Sequence, residues 1–143
     1  DPHILPNGNI LIFDNGIHRA AVELTFSRII EFNPETEKIV WEYKAPDMTD
    51  FFSPACGGAQ RLPNGNTLIC ETMKGRIFEV TKKGEIVWEY INPFYNPYLA
   101  FGNLNWVFRA YRYGPDYPGL EEKPLDPTKF EKWNRLYGPE AFK

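Results

Sequence analysis

The sequence predicts an all-β fold, namely a portion of a β-propeller with two four-stranded blades and part of a third. This prediction depends on an internal repeat. The segment LPNGN occurs at residues 5–9 and again at 62–66, and the segment IVWEY occurs at 39–43 and again at 86–90. A related segment lies between them in each copy, as RIIEF in the first and RIFEV in the second. Repeats of several short strands at this spacing are typical of propeller blades.

Each copy is predicted to form four short strands joined by turns. β-Branched and aromatic residues alternate with charged residues, which favours half-buried strands. Pro63 presets the backbone for a type I turn, and Gly65 can take the left-handed position that follows. The first copy differs mainly by a longer loop at residues 17–26. The predicted strands of the second copy are 58–62, 67–71, 76–80 and 85–90.

Trp41 and Trp88 occupy the same place in the last strand of each copy. A β-sandwich is the alternative all-β fold, but a sandwich gives no reason to repeat one motif in an outer strand. We therefore expect both indole rings to pack between blades.

The last third of the chain does not follow the repeat. Residues 105–113 are expected to form the first strand of the next blade. Residues 114–120 contain two prolines and two glycines and therefore cannot form a regular strand. A short helix is predicted over residues 126–135, capped by its Asp-Pro-Thr start. We divide the chain into propeller blades at 1–113, which form an incomplete ring, and a Pro/Gly-rich C-terminal extension at 114–143.

Two blades and part of a third cannot close a ring, because propellers have about 4–8 blades. The first residues already lie within the repeat, as expected of a piece of a longer protein. We therefore expect completion by the remaining blades of the same protein or by self-association. We also expect that the chain by itself is not an active enzyme.

The composition excludes several classes of protein. The chain is 43% hydrophobic and 16% aromatic, which indicates a globular rather than a disordered protein. Its formal charge of -3 and the lack of a basic cluster argue against a nucleic-acid partner. No run of about 18 apolar residues predicts a membrane span. No spacing of His, Cys or acidic residues matches a metal motif, and we expect no cofactor.

The two cysteines, Cys56 and Cys70, are too few for a disulfide framework. If residues 59–62 and 67–70 form a hairpin, Ala59 lies opposite Cys70. Cys56 is then out of register by about 10 Å along the strand. We therefore expect the two cysteines not to pair.

Several segments together resemble the arylsulfotransferase family of β-propellers. Their order and combination carry the resemblance, because single LPNGN hairpins and Trp-containing strands occur in other propellers, including quinoprotein-like ones. The segments are 1–16 (DPHILPNGNILIFDNG), 27–32, 38–43, 58–69 (GAQRLPNGNTLI), 75–93 (GRIFEVTKKGEIVWEYINP) and 109–120 (RAYRYGPDYPGL).

The resemblance implies a six-bladed protein, periplasmic or extracellular, that transfers a sulfuryl group from a phenolic sulfate ester to another phenol. In the family, a histidine in the central channel is the nucleophile and becomes a sulfohistidine. Other histidines and an arginine hold the sulfate oxygens. This chain has only two histidines, so the family's histidine set is incomplete and its nucleophile does not map onto one residue.

The candidate catalytic residues are His3 and His18. His3 and Gln60 occupy corresponding positions on the first strand of adjacent copies, and this innermost strand lines the channel of a propeller. Gln60 is therefore a candidate substrate-binding residue. His18 lies in the long loop of the first copy, and loops on one face of a propeller often build the site.

Arg109 and Arg112 are the other candidate substrate-binding residues, because the fork of a guanidinium matches sulfate oxygens. Side chains alternate along a strand, so at most one of the two points at a given ligand, and Arg109 is preferred. Alternation also turns Arg61 away from Gln60, toward the packing between blades or the rim.

Three functions remain open. The first is sulfuryl transfer between phenols by the complete protein, favoured by the matching segments. The second is a non-catalytic propeller that binds a ligand or a protein, favoured by the shortage of histidines and the incomplete ring. The third is a quinoprotein-like propeller. Tyr111, Tyr113 and Tyr117 are candidates to stack a phenol, although packing is their expected role.

Overall fold

The computed structural model describes residues 1–19, 25–98 and 102–126, together with Thr128 and Glu131. The chain contains two compact units, residues 1–112 and 113–143. Within the described residues, no helix is both long and apolar enough to cross a membrane.

The first unit contains the two predicted blades, each a sheet of four consecutive antiparallel strands, and the predicted fold class is confirmed. The first blade consists of β1 (His3–Ile4), β2 (Ile10–Asp14), β3 (Arg28–Asn33) and β4 (Lys38–Tyr43). The second consists of β5 (Gly58–Arg61), β6 (Thr67–Glu71), β7 (Arg76–Val80) and β8 (Ile86–Ile91). Short 3₁₀ helices lie in the connections, at Ile17–Arg19, Met48–Asp50 and Thr72–Lys74.

The first two strands of each blade are joined by the same turn. In the second blade the Leu62 N–H donates to the Asn66 carbonyl at 2.8 Å, and the Gly65 N–H donates to the Leu62 carbonyl at 2.9 Å. Gly65 has a φ of 86°, which glycine adopts without a steric penalty. The corresponding bonds at residues 5–9 are also 2.8 and 2.9 Å long. The repeated LPNGN segment is thus a repeated turn geometry.

The pairing of β5 with β6 is displaced by one residue from the predicted register. Gly58, rather than Ala59, lies opposite Cys70, because Leu62 belongs to the turn and not to the strand. Cys70 is buried, Cys56 is half-buried, and both are free, as predicted.

The core of the first unit lies between the blades and is rich in aromatic rings. Phe13 and Tyr43 of the first blade meet Phe78 of the second around Phe51, which lies in the connection between the blades. Phe51 contacts Phe13 and Phe78 edge to face, both at a centroid distance of 5.5 Å. Such contacts stabilise a core beyond the area that they bury.

The strand predicted at residues 105–113 is absent among the described residues. The preceding chain instead forms a short hairpin of β9 (Asn96–Tyr98) and β10 (Gly102–Leu104). The strand prediction fails because a strand needs a ladder partner, and the Pro/Gly-rich residues 114–120 that follow supply none.

Residues 105–112 nevertheless lie against the second blade, on the face that is turned away from the first blade. The Val107 N–H donates to the Thr72 carbonyl at 3.3 Å. The Cys70 thiol donates to the Val107 carbonyl, and the Thr72 hydroxyl donates to the Phe108 carbonyl, each at 3.3 Å. An irregular segment therefore lies against the blade by side-chain-to-backbone bonds.

The second unit contains a 3₁₀ helix at Pro118–Leu120. The rings of Tyr113 and Tyr117 pack together with centroids 4.2 Å apart. The Asp126 carboxylate accepts hydrogen bonds from the Thr128 N–H at 2.9 Å and its hydroxyl at 2.7 Å. Most of the helix predicted to begin there lies outside the described residues.

Candidate functional site

The register of the blades places His3 and Gln60 at corresponding positions, as the repeat predicts. His3 lies opposite Leu11 across β1 and β2, and Gln60 lies opposite Leu68 across β5 and β6. Both residues belong to the innermost strand of their blade, the strand that borders the channel in a propeller.

The imidazole of His3 lies among polar and aromatic groups. Its Nε2 atom is 3.4 Å from Asp1 Oδ2, yet it is buried and forms no hydrogen bond. The ring of Tyr111 meets it edge to face at a centroid distance of 6.1 Å. Burial, the amino group of residue 1 and Arg109 together lower the pKa of His3. The imidazole is therefore neutral at neutral pH and retains a lone pair for attack or binding.

The guanidinium of Arg109 lies beside the same carboxylate. Its Nε atom is 3.5 Å from Asp1 Oδ2, and the side chain is 47% exposed. It lines a cleft of about 240 Å³ together with Asp1, Cys56 and Phe108. A half-exposed guanidinium has donors left for an anion that enters the cleft.

Gln60 is engaged with the backbone of Arg112. Its Nε2 donates to the Arg112 carbonyl at 3.0 Å, and its Oε1 accepts from the Arg112 N–H at 2.8 Å. Part of the hydrogen-bonding capacity of the Gln60 carboxamide is therefore used within the protein. Substrate binding by Gln60 stays a prediction.

The side chain of Arg112 is directed toward the second blade and away from His3. It forms an ion pair with Glu79, and its guanidinium lies over the ring of Trp88 at 4.7 Å. Substrate binding by Arg112 also stays a prediction, and its contacts are those of a packing residue.

An arginine that pairs with a glutamate and lies over a tryptophan ring also joins the two blades. Arg61 of the second blade pairs with Glu31 of the first at 2.8 Å and lies over the ring of Trp41 at 4.4 Å. The Trp41 indole N–H also donates to the Lys82 carbonyl in the second blade at 2.9 Å. The packing roles expected for Trp41 and Arg61 are confirmed, and Arg112 repeats the role of Arg61.

His18 is not part of this cluster. It is an exposed residue of the 3₁₀ helix Ile17–Arg19 and lines a different cleft of about 490 Å³ with Asn15 and Ile30. Among the described residues, no hydrogen bond or ring contact joins it to His3. A catalytic role for His18 stays a prediction.

The structure adds one residue to the predicted set, Asp1, and it places Tyr111, predicted only as a candidate to stack a phenol, beside His3. Asp1 precedes His3 by two positions, so strand alternation already placed both on one side. Tyr111 lies between an alanine and an arginine, as Gln60 does, and this short likeness was the available signal. Within the described part of the chain, no group of three or more His, Cys, Asp or Glu residues is arranged to hold a metal ion.

The cluster therefore combines the neutral imidazole of His3 on β1 with a carboxylate, a guanidinium and a phenol ring from residues outside the strands. A neutral imidazole can act as a nucleophile toward an electrophilic centre. A guanidinium stabilises negative charge on the oxygens of that centre. The arrangement suits the transfer or binding of a small anionic group.

Comparison with known proteins matches one family model and finds similar solved structures. A family model described as arylsulfotransferase (ASST) matches residues 1–93. No curated protein matches the chain significantly. A similar solved structure is the crystal structure, at 1.35 Å resolution, of a protein of unknown function from Bacteroides caccae. It is 20% identical over 63% of this chain, with a TM-score of 0.44, and this chain covers 30% of its length.

Proposed function

Because the chain belongs to the arylsulfotransferase family, we propose that its inner strands form part of a site for sulfuryl transfer between phenols. The observation that carries the proposal is His3, a neutral imidazole between Asp1, Arg109 and Tyr111. Of the two histidines in the sequence, His3 has these neighbours and His18 does not.

The proposed reaction has two steps. A ring nitrogen of His3 attacks the sulfur of a phenolic sulfate, the N–S bond forms, and the S–O bond to the phenol breaks. The phenolate leaves and takes up a proton. In the second step the oxygen of another phenol attacks the same sulfur, loses its proton and restores the free imidazole. Two easier steps replace one direct transfer.

Each neighbour of His3 has a proposed role in these steps. Arg109 stabilises the charge on the sulfate oxygens. The carboxylate of Asp1 stabilises the imidazole while it carries the sulfuryl group and a positive charge. The ring of Tyr111 packs against the phenol of the donor or the acceptor.

The test is to treat the chain with an aryl sulfate and to search by mass spectrometry for a covalent SO₃ group on histidine. We expect SO₃ on His3, none there in His3→Ala, and unchanged labelling in His18→Ala. Arg109→Gln should slow the labelling by about tenfold or more. Continuous release of phenol is not expected, since the incomplete ring lacks the rest of the site.

Labelling that persists in His3→Ala, or that occurs on His18 alone, would contradict the proposal. A chain that is folded but neither binds the aryl sulfate nor becomes labelled would contradict it as well.

The second candidate is a non-catalytic propeller that binds a ligand or a protein. The engagement of Gln60 and Arg112 in contacts within the protein favours it, because Arg109 is then the one member of the three predicted substrate-binding residues left to bind a sulfate. Binding of an aryl sulfate without transfer to His3 is the result that distinguishes this candidate.

Family membership also supports a periplasmic or extracellular location, a phenolic sulfate donor and a phenol acceptor, which we include in the proposal. Completion of the site by further blades or by another copy of the chain belongs to it as well. The quinoprotein-like alternative has no comparable support, since the matching family model is that of the arylsulfotransferases.

A further inference from the structure

The carboxamide of Gln60 pairs with both backbone groups of one residue. It donates to the Arg112 carbonyl at 3.0 Å and accepts from the Arg112 N–H at 2.8 Å. Two residues that exchange both bonds in this way are the unit of an antiparallel ladder. Gln60 therefore binds Arg112 as a neighbouring strand would, although residues 105–112 form no ladder.

The segment that carries Arg109 and Tyr111 is attached to the second blade at two places. The first comprises residues 107–108, whose carbonyls accept hydrogen bonds of 3.3 Å from the Cys70 thiol and the Thr72 hydroxyl. The second is the pair of bonds between Gln60 and Arg112. The two side chains that approach His3 lie between these anchors, so both anchors restrict where they can lie.

We propose that Gln60 is a positioning residue, which binds the Arg112 backbone and thereby holds Arg109 and Tyr111 in place around His3. This inference rests on the proposed function, since it concerns the same cluster. It gives Gln60 a different role from the substrate contact that its position on the inner strand predicts.

The association of the two blades does not require the Gln60 bonds. Arg61, the next residue, already pairs with Glu31 at 2.8 Å, and the aromatic core lies between the sheets. Gln60 instead fixes a segment that lacks a strand partner. Its loss should therefore affect the cluster at His3 more than the stability of the blades.

The experiment compares Gln60→Leu and Gln60→Asn with the unchanged chain. Leucine removes both bonds, and asparagine keeps the carboxamide but is too short to reach Arg112. The control is Asn9→Leu, because the Asn9 carboxamide also forms a part-buried bond, to Glu31 at 2.6 Å.

The readout is the pH titration of the histidine resonances by NMR, which does not depend on sulfuryl transfer. The chain has two histidines, so His18 serves as an internal reference. The groups that face His3 are Asp1, Arg109, Tyr111 and the amino group of residue 1.

We expect both Gln60 variants to raise the pKa of His3 toward its ordinary value of 6.5, because burial and Arg109 are among the causes that lower it. Asn9→Leu should leave the pKa of His3 as it is in the unchanged chain.

An unchanged His3 titration in a folded Gln60 variant, or an equal change in Asn9→Leu, would overturn the proposal. Hydrogen exchange of the Arg112 N–H in the unchanged chain provides a test that needs no variant. We expect this amide to be protected and to exchange roughly two- to tenfold faster in Gln60→Asn. An Arg112 amide that exchanges at the rate of an unprotected one would also overturn the proposal.

Discussion

At the scale of single residues, the two blades place a carboxylate at the same point but bury it to different extents. Glu71, at the end of β6, is fully buried and accepts from the Phe52 N–H at 2.9 Å. Lys74 and Arg76 lie 3.0 and 3.4 Å from its oxygens. Asp14, at the end of β2, is 26% exposed and contacts two arginines at 2.7 Å. The same pattern of charges is therefore expected to contribute differently to the free energy of unfolding in each blade.

This difference predicts unequal effects of removing the two carboxylates. Glu71→Ala leaves the part-buried Phe52 N–H without its acceptor and removes one of the two carboxylates that pair with Arg76, and should lower the free energy of unfolding by about 3 kcal/mol. Asp14→Ala, the matched variant, should lower it by about 1 kcal/mol because water can replace the lost contacts. Urea denaturation measures both values. Equal losses would show that burial does not decide the contribution of these groups.

Residue roles were predictable where strand alternation determines the partner. Trp41 and Arg61 lie on regular strands, and their packing between blades followed from the repeat. The contacts of Gln60 did not follow, because its partner is the backbone of an irregular segment. Arg112 has the contacts of Arg61, yet one pair of residues in a segment without a strand pattern is too short a signal to establish that correspondence.

At the scale of elements, the blades are joined by an arginine that reaches back to the preceding sheet. Arg61 contacts Glu31 at 2.8 Å, Thr67 Oγ1 at 2.7 Å and the ring of Trp41 at 4.4 Å. Burial by itself would raise the pKa of Glu31, but hydrogen bonds from Asn9 and a neighbouring asparagine, together with Arg61, outweigh burial and lower it. Glu31 is thus stabilised as a carboxylate in the folded state.

Arg61→Leu should lower the free energy of unfolding at pH 7 by about 2 kcal/mol, since it removes a largely buried pair and a cation–π contact. Arg112→Leu should lower the free energy of unfolding by about 1 kcal/mol, because Arg112 is 38% exposed.

The lowered pKa of Glu31 in the folded state stabilises the protein above the ordinary value of 4.5. This contribution is lost as the pH falls through the pKa of the folded state. The difference between Arg61→Leu and the unchanged chain should therefore shrink below about pH 4.5, as urea denaturation over a pH series would show. A difference that does not vary with pH would mean that Glu31 contributes nothing to the contact.

The strands and turns of both blades were predictable because hydrophobic alternation and turn residues are local properties of the sequence. The register between β5 and β6 was harder to predict than the strands themselves. Leu62 has the character of a strand residue but closes the turn, which moves Gly58 opposite Cys70. The strand expected at residues 105–113 shows the same limit, because β propensity does not provide a ladder partner. Site geometry depends on that segment and was correspondingly harder to predict.

At the scale of the whole chain, the first unit has one blade face on which no other described blade packs. Ile4, Ile10, Phe32 and Ile39 lie opposite one another across the four strands of the first blade. Ile4 is 81% exposed and Ile39 is 47% exposed. In the second blade the equivalent of Ile39, Ile86, is also 47% exposed, but Thr67 and Val80, the equivalents of the half-buried Ile10 and Phe32, are fully buried. The two rows differ in cover because the first blade packs on the second, while no described blade packs on the first.

An uncovered apolar row of this kind favours association between copies of the chain. We expect sedimentation velocity to show an average mass that rises with protein concentration. Ile4→Lys should suppress the rise, because a charge at the most exposed end of the row opposes burial of the face. Leu125→Lys is the control, since Leu125 is 52% exposed but belongs to the other unit. A mass of 16.6 kDa at every concentration would show that the face does not drive association, whereas equal suppression by both variants would attribute the effect to net charge.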